Sequence, residues 1–200
     1  MNTAYDEFKN NLIRAKNLGT IYLSLSSKTT AILDISDVLR AELVLAVSSF
    51  DYYIHKIVLI GMLDAYSGKR LKTHQFLKFK CSMDSIITGY NNPQSQIWFE
   101  NEIRIALGYQ SFLQPDKLSE ALKLISEKSI WEEISRIQGV PSIDLKKQLN
   151  IIVDRRNKIA HEADRDPSYP DKLWPINDQM VNEAIEFLEN LGQNIYIIVN

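Results

Sequence analysis

The stretch SIDLKKQLNIIVDRRNKIAHEAD, residues 142–164, repeats its apolar residues with the period of an α-helix. Leu145, Leu149, Ile152, Ile159 and Ala163 fall on one stripe, and Arg156 interrupts it. Gly139-Val140-Pro141 breaks the chain before this helix, and Asp166-Pro167 stops it. Residues 36–65 carry the same period through Leu39, Leu43, Val47, Phe50, Ile54, Ile57 and Met62, behind a Ser36 or Asp37 cap and ahead of Ser67-Gly68. There the column Val44, Val47, Ile54, Val58 is interrupted by Asp51. Taking a lone charge out of water costs several kcal/mol, so each of these charges needs a partner or a wet site between helices. Mutual satisfaction of Asp51 and Arg156 is the simplest arrangement.

The rest of the chain extends the helical pattern. Residues 3–17 form a first amphipathic helix through Tyr5, Phe8, Leu12 and Ala15, with Gly19 as its stop. Residues 20–33 read either as a strand, because Ile21, Leu23 and Leu25 alternate, or as a short helix. From Gly68 to Pro115 the pattern is weaker, and Gly89, Asn91, Asn92 and Pro93 mark a loop. Residues 95–107, 117–126 and 130–137 are shorter helix candidates, and 168–175 is a proline-rich loop. Asn177 or Asp178 caps a last helix through Val181, Ile185, Leu188 and Leu191, which Gly192 ends or weakens. With only 7 glycines and 6 prolines in 200 residues, a turn-dense sandwich or barrel is disfavoured. The expectation is an all-α helical bundle with extra short helices inserted in its middle, residues 1–200 forming a single domain.

Composition narrows the chemistry. A net charge of −2 excludes a polyelectrolyte partner for nucleic acid, so any RNA contact must come from a local patch. The best patch is Lys69, Arg70, Lys72, Lys78 and Lys80, with no acidic residue between Asp64 and Asp84 and with Phe76 and Phe79 interleaved. It reads as a solvated face or as a track for an RNA backbone. The single cysteine, Cys81, rules out an intramolecular disulfide and any multi-cysteine metal site, and is expected to be a small buried hydrophobe. His55 and His74 lack carboxylates at metal-ligand spacing and read as ordinary histidines; no metal or cofactor is expected. Ile54 to Leu63, the greasiest run, is about half the ~20 residues of a membrane span, and the N-terminus lacks signal-peptide character. A soluble, cytoplasmic protein with no membrane partner is expected.

The string Arg155-Arg156-Asn157-Lys158-Ile159-Ala160-His161-Glu162-Ala163-Asp164 contains Arg-Asn-x-x-x-His on a helix near the C-terminal end of an all-α chain. This resembles the HEPN superfamily, and the fuller stretch ahead of Asp166-Pro167 is most similar to its RiboL-PSP-HEPN group. The helix containing Phe50-Asp51-Tyr52-Tyr53 resembles that family's second core helix. The resemblance implies a metal-independent endoribonuclease of toxin or antiviral-defence type, acting as a homodimer on RNA. A neutralising or companion protein belongs to the same implication. It assigns catalysis to Arg156 and His161, with Asn157 and a supporting Asp51, and leaves Arg155 and Lys158 as flanking RNA contacts.

The chemistry fits these residue types. Cleaving RNA without a metal needs one group to take the 2′-hydroxyl proton and one to protonate the leaving 5′-oxygen, and histidine suits both. A permanently charged, planar guanidinium stabilises the charge gathering on the phosphorane. At roughly 100° per residue Asn157 and His161 share a helix face whereas Arg156 points elsewhere, so a two-fold dimer that pairs His161 with the partner's arginine is attractive. Arg155 offers a rival register, Arg-x5-His; Arg156 is preferred because it precedes Asn157 and breaks the apolar stripe. Two other readings compete. One is a non-catalytic module of the same fold that binds RNA, a nucleotide or a protein. The other is a helical adaptor in which Asp51 and Arg156 merely form a buried pair.

Overall fold

The computed structural model describes residues 1–28 and 33–200. Within them the chain runs α1 (Asn2–Ser26), α2 (Asp37–Tyr66), α3 (His74–Leu77), α4 (Met83–Asn91), α5 (Ile97–Leu107), α6 (Pro115–Leu122), α7 (Ile130–Gln138) and α8 (Ser142–His161). A two-strand hairpin, β1 (Arg165–Asp166) and β2 (Tyr169–Leu173), then leads into α9 (Asp178–Val199). The fold is all-α, with the short helices α3 to α7 inserted between long ones.

The central element is α2, which packs against α1, α5, α6, α8 and α9. Its stripe Leu39, Leu43, Val47, Phe50, Ile54, Ile57 and Met62 is buried throughout. Burying side chains of this size stabilises by ~1.5–3 kcal/mol each, which is what fixes so long a helix in the middle of the bundle. By length and composition α2 could cross a membrane, with a mean hydropathy of 1.5 over its most apolar window. The apolar run therefore extends beyond the ten residues of Ile54 to Leu63, and other helices cover its stripe.

Several boundaries differ from the sequence expectation. Helix α1 passes through Gly19 to Ser26, so the alternating Ile21, Leu23 and Leu25 are helical; residues 29–32 of that ambiguous stretch lie outside the described residues. Gly19 does not stop the helix but lets it approach α2, since a Cβ there would lie 2.7 Å from Glu42 Oε2. Gly192 serves the same end in α9, which runs on to Val199: a Cβ would lie 2.4 Å from the Phe8 ring. Gly89 belongs to α4, where it meets the Trp98 indole, rather than to a loop. The proline-rich segment 168–175 contains β2, and α8 ends at His161, leaving Ala163 exposed rather than on the apolar stripe.

Candidate functional site

The two adjacent arginines of α8 go to different places, as residues roughly 100° apart on a helix must. Arg155 turns inward. Its Nη1 lies 2.6 Å from Asp164 Oδ1, and its Nη2 donates to Asp164 Oδ2 at 2.8 Å and to the Trp174 carbonyl at 3.1 Å. Arg40, at the start of α2, donates from Nε to Asp164 Oδ2 at 2.6 Å and from Nη2 to the Trp174 carbonyl at 2.9 Å. Asp164 is thus a buried acid, 1% exposed, between two cations. Burial lowers the Arg155 pKa while Asp164 opposes that shift.

Asp164 reaches this position through a backbone reversal. Ala163 and Asp164 have φ of 50° and 54°, a left-handed pair that costs on the order of 1 kcal/mol or more per residue outside glycine. The turn satisfies the end of α8: the Asp164 N–H donates to the Lys158 carbonyl at 3.0 Å, and the Asp164 carbonyl accepts from Trp174 N–H at 2.9 Å. The buried ion pairs hold the reversal, and the reversal fixes where the last turn of α8 stands.

Arg156 faces outward onto an open cleft of about 650 Å³. One wall comes from α8 and contains Val153, Arg156, Asn157 and His161. The other is the segment between α5 and α6, with Tyr109, Gln110, Ser111 and Gln114, and Lys117 beyond it. Arg156 Nη1 donates to Asn157 Oδ1 at 3.1 Å, and Arg156 Nε is buried without a hydrogen-bond partner. His161, the last residue of α8, is exposed at the cleft. An anion entering here meets a guanidinium, an amide and an imidazole, while the Lys117 ammonium at the edge is paired with Glu120 at 2.9 Å.

Asp51 forms no ion pair with Arg156 among the described residues, which corrects the expected pairing. Its Oδ1 accepts the Phe112 N–H at 2.9 Å and its Oδ2 accepts the Ser111 hydroxyl at 3.4 Å. One turn along α2, His55 Nε2 lies 3.0 Å from the Gln110 carbonyl, and its ring lies against Phe112 with centroids 4.4 Å apart. The physical reason is competition: the 110–112 backbone runs over α2 at this point, and its N–H must be satisfied. Asp51 therefore reaches the cleft through the wall it holds, not through the arginine.

The other candidates are dispersed. Arg155 is closed off in the Asp164 pair and does not line the Arg156 cleft. Lys158 pairs with Asp154 at 3.0 Å and lies over the Trp174 ring. Arg70 is occupied as well, with Nη1 on the Ile125 carbonyl at 2.9 Å and Nη2 on Met1 Sδ at 3.3 Å. Lys69, Lys72, Lys78 and Lys80 are exposed, and none of this basic segment lines the Arg156 cleft. Lys69 and Lys72 border a separate cleft of about 440 Å³ beside Lys128 and Ile198. Phe76 and Phe79 pack inward, edge-on to Phe99. Cys81 is half-buried, which pushes its thiol pKa up.

Sequence reasoning missed Asp164, Arg40 and the whole 109–114 wall. The wall lies outside any periodic segment, so no pattern marked it. Asp164 carried only one signal, an acid placed shortly after two arginines on a terminating helix.

An all-α bundle with a polar cleft at the end of its penultimate long helix, bearing arginine, asparagine and histidine, has the architecture of a HEPN-type domain. Residues 9–200 match the RiboL-PSP-HEPN family, and the chain belongs to that family. No curated protein and no solved structure matches it. HEPN domains act as ribonucleases or as RNA-binding modules, and this chain has the fold for either role.

Proposed function

We propose that this protein is a metal-independent endoribonuclease whose reaction takes place in the cleft of Arg156, Asn157 and His161, at a composite site in a homodimer. One observation carries the reading: of the two neighbouring arginines, one is consumed by a buried acid while the other lines an open cleft with Asn157 and His161. A structural role accounts for Arg155 and leaves Arg156, on the open cleft, available to an anion.

In the proposed reaction the 2′-hydroxyl loses its proton to an imidazole and attacks the adjacent phosphorus. The bond to the 5′-oxygen breaks, a second acid protonates that oxygen, and the products are a 2′,3′-cyclic phosphate and a 5′-hydroxyl. Arg156 stabilises the charge that builds on the phosphoryl oxygens, and Asn157, hydrogen-bonded to Arg156, fixes the guanidinium plane. The cleft of one chain contains one histidine, whereas the reaction uses both an acid and a base. A two-fold dimer that brings two copies of His161 to one RNA strand satisfies that need. Enzymes of this type serve in toxin or antiviral-defence systems, and a companion protein that restrains the activity is part of the same proposal.

The test is incubation of purified protein with total RNA in EDTA, followed by end-group analysis. Cyclic phosphate ends that vanish in His161→Ala and Arg156→Ala support the reading. Full activity of His161→Ala, or loss in EDTA that Mg²⁺ restores, overturns it. RNA binding without cleavage by the intact protein identifies a non-catalytic module.

A further inference from the structure

The wall opposite Arg156 has a feature that neither the motif nor the fold explains. Tyr109, just past the end of α5, is 83% exposed yet lines the cleft. Its ring packs on no other ring and its hydroxyl has no partner among the described residues, so most of the ring is open. What sets this exposed ring apart is its place: it presents a large flat aromatic face in the cleft that Arg156 lines, among the polar Gln110, Ser111 and Gln114. The surroundings suit a ligand that combines a flat apolar face with negative charge.

Mobility does not account for the exposure, because the segment is fixed from behind. Asp51 holds the Ser111 hydroxyl and the Phe112 N–H, His55 holds the Gln110 carbonyl, and the Gln110 side-chain amide donates to the Ala106 carbonyl at 2.9 Å. Leu113 and Phe112 are buried in the core. The ring thus stands on a braced support, and holding it in place costs a ligand little ordering entropy.

We propose that Tyr109 is the base-stacking platform of this cleft, taking one unpaired RNA base on its ring while the adjoining phosphate meets Arg156. The inference rests on the ribonuclease reading and deepens it, since a stacked base must first leave any duplex. The substrate class is therefore single-stranded RNA or a loop, and Tyr109 is a specificity-determining residue.

The experiment measures binding of fluorescein-labelled single-stranded RNA oligonucleotides whose 2′-hydroxyls are all methylated, so that none can be cut. Each oligonucleotide in the series carries one abasic position. For the unaltered protein, one abasic position should weaken binding by about 5- to 140-fold, the range for base–aromatic stacking. Tyr109→Ala should weaken the intact oligonucleotide by a similar factor and become indifferent to that abasic position. Tyr109→Phe should behave as the unaltered protein, because stacking uses the ring and not the hydroxyl.

Four results overturn the proposal: unchanged binding by Tyr109→Ala; an abasic penalty that persists in Tyr109→Ala; Tyr109→Phe as weak as Tyr109→Ala; or a Tyr109→Ala loss that tracks a change of oligomeric mass, which would make the ring a contact between copies. Cleavage of ordinary RNA is scored separately with His161→Ala. Intact cleavage with unaltered binding in Tyr109→Ala removes the platform alone. Base-dependent binding without cleavage keeps the platform and removes the nuclease. No RNA binding by the unaltered protein removes both.

Discussion

Asp164 Oδ1 lies 2.6 Å from Arg155 Nη1, across the turn that ends the helix bearing Arg156 and His161. The same carboxylate takes Arg40 from α2, so one acid ties the end of α8 to the start of α2 and to the chain leading into α9. Removing it leaves two mostly buried arginines short of their counter-charge. Asp164→Ala should therefore lose roughly 3–5 kcal/mol of stability, read from urea unfolding. Arg155→Ala combined with Asp164→Ala should lose less than the sum of the two single changes. Additive losses would mean that the pair does not act as a unit.

The two arginines should separate stability from activity. Arg155→Ala should lower the unfolding free energy by several kcal/mol. Arg156→Ala should leave folding within about 1 kcal/mol and abolish RNA cleavage. Thermal unfolding and an RNA cleavage assay on both variants check this directly. The reverse pattern would put the reacting arginine in the Arg155 register.

The core and the site were legible to different degrees. Every residue of the α2 stripe from Leu39 to Met62 is buried, because a 3.6-residue period reports directly on which face meets the core. Helix ends were less legible: Gly19 and Gly192 have the composition of stops yet allow close helix contacts, and only the facing Glu42 and Phe8 reveal that. The Arg156, Asn157 and His161 wall of the cleft could be read because it lies within one helix. Its opposite wall could not, since Tyr109 to Gln114 follows no period and is placed by Asp51 and His55 from 61 and 55 residues away. The interruption at Asp51 was a sound sign of a polar partner. That partner is a backbone N–H, which a sequence does not single out.

Asp51 acts as a hydrogen-bond acceptor for the cleft wall, and that role does not need its charge. Asp51→Asn, with an amide oxygen in the same place, should keep most of the stability and of the cleavage rate. Asp51→Ala should lose about 1–3 kcal/mol, the cost of leaving the Phe112 N–H unsatisfied, and should slow cleavage by displacing Ser111 and Gln110. Combined with Arg156→Ala its stability loss should add, because the two side chains share no bond. An Asp51→Asn variant as damaged as Asp51→Ala would point to a charge-based role instead.

Glu42 should give the protein a stability that falls as pH rises through neutrality. It lies on α2 against Gly19 of α1, 1% exposed, and neither carboxylate oxygen has a hydrogen-bond partner among the described residues. Burial first, and then the negative charge of Asp178, push its pKa up to about 7, while Lys16 works against the shift. Lys16 is itself engaged by Glu189 at 2.6 Å, which limits what it can offer. The folded chain therefore holds a proton that the unfolded chain releases near the ordinary glutamate range. Between about pH 4.5 and 7 the folded state binds more protons, so this contribution to stability declines with rising pH and is fully lost above about pH 7. The loss is roughly 3 kcal/mol. Glu42→Gln, neutral at every pH, should unfold at higher urea than the unaltered protein at pH 8, and the gap should shrink towards pH 5. A gap that stays constant from pH 5 to pH 8 would show that Glu42 does not titrate in this range.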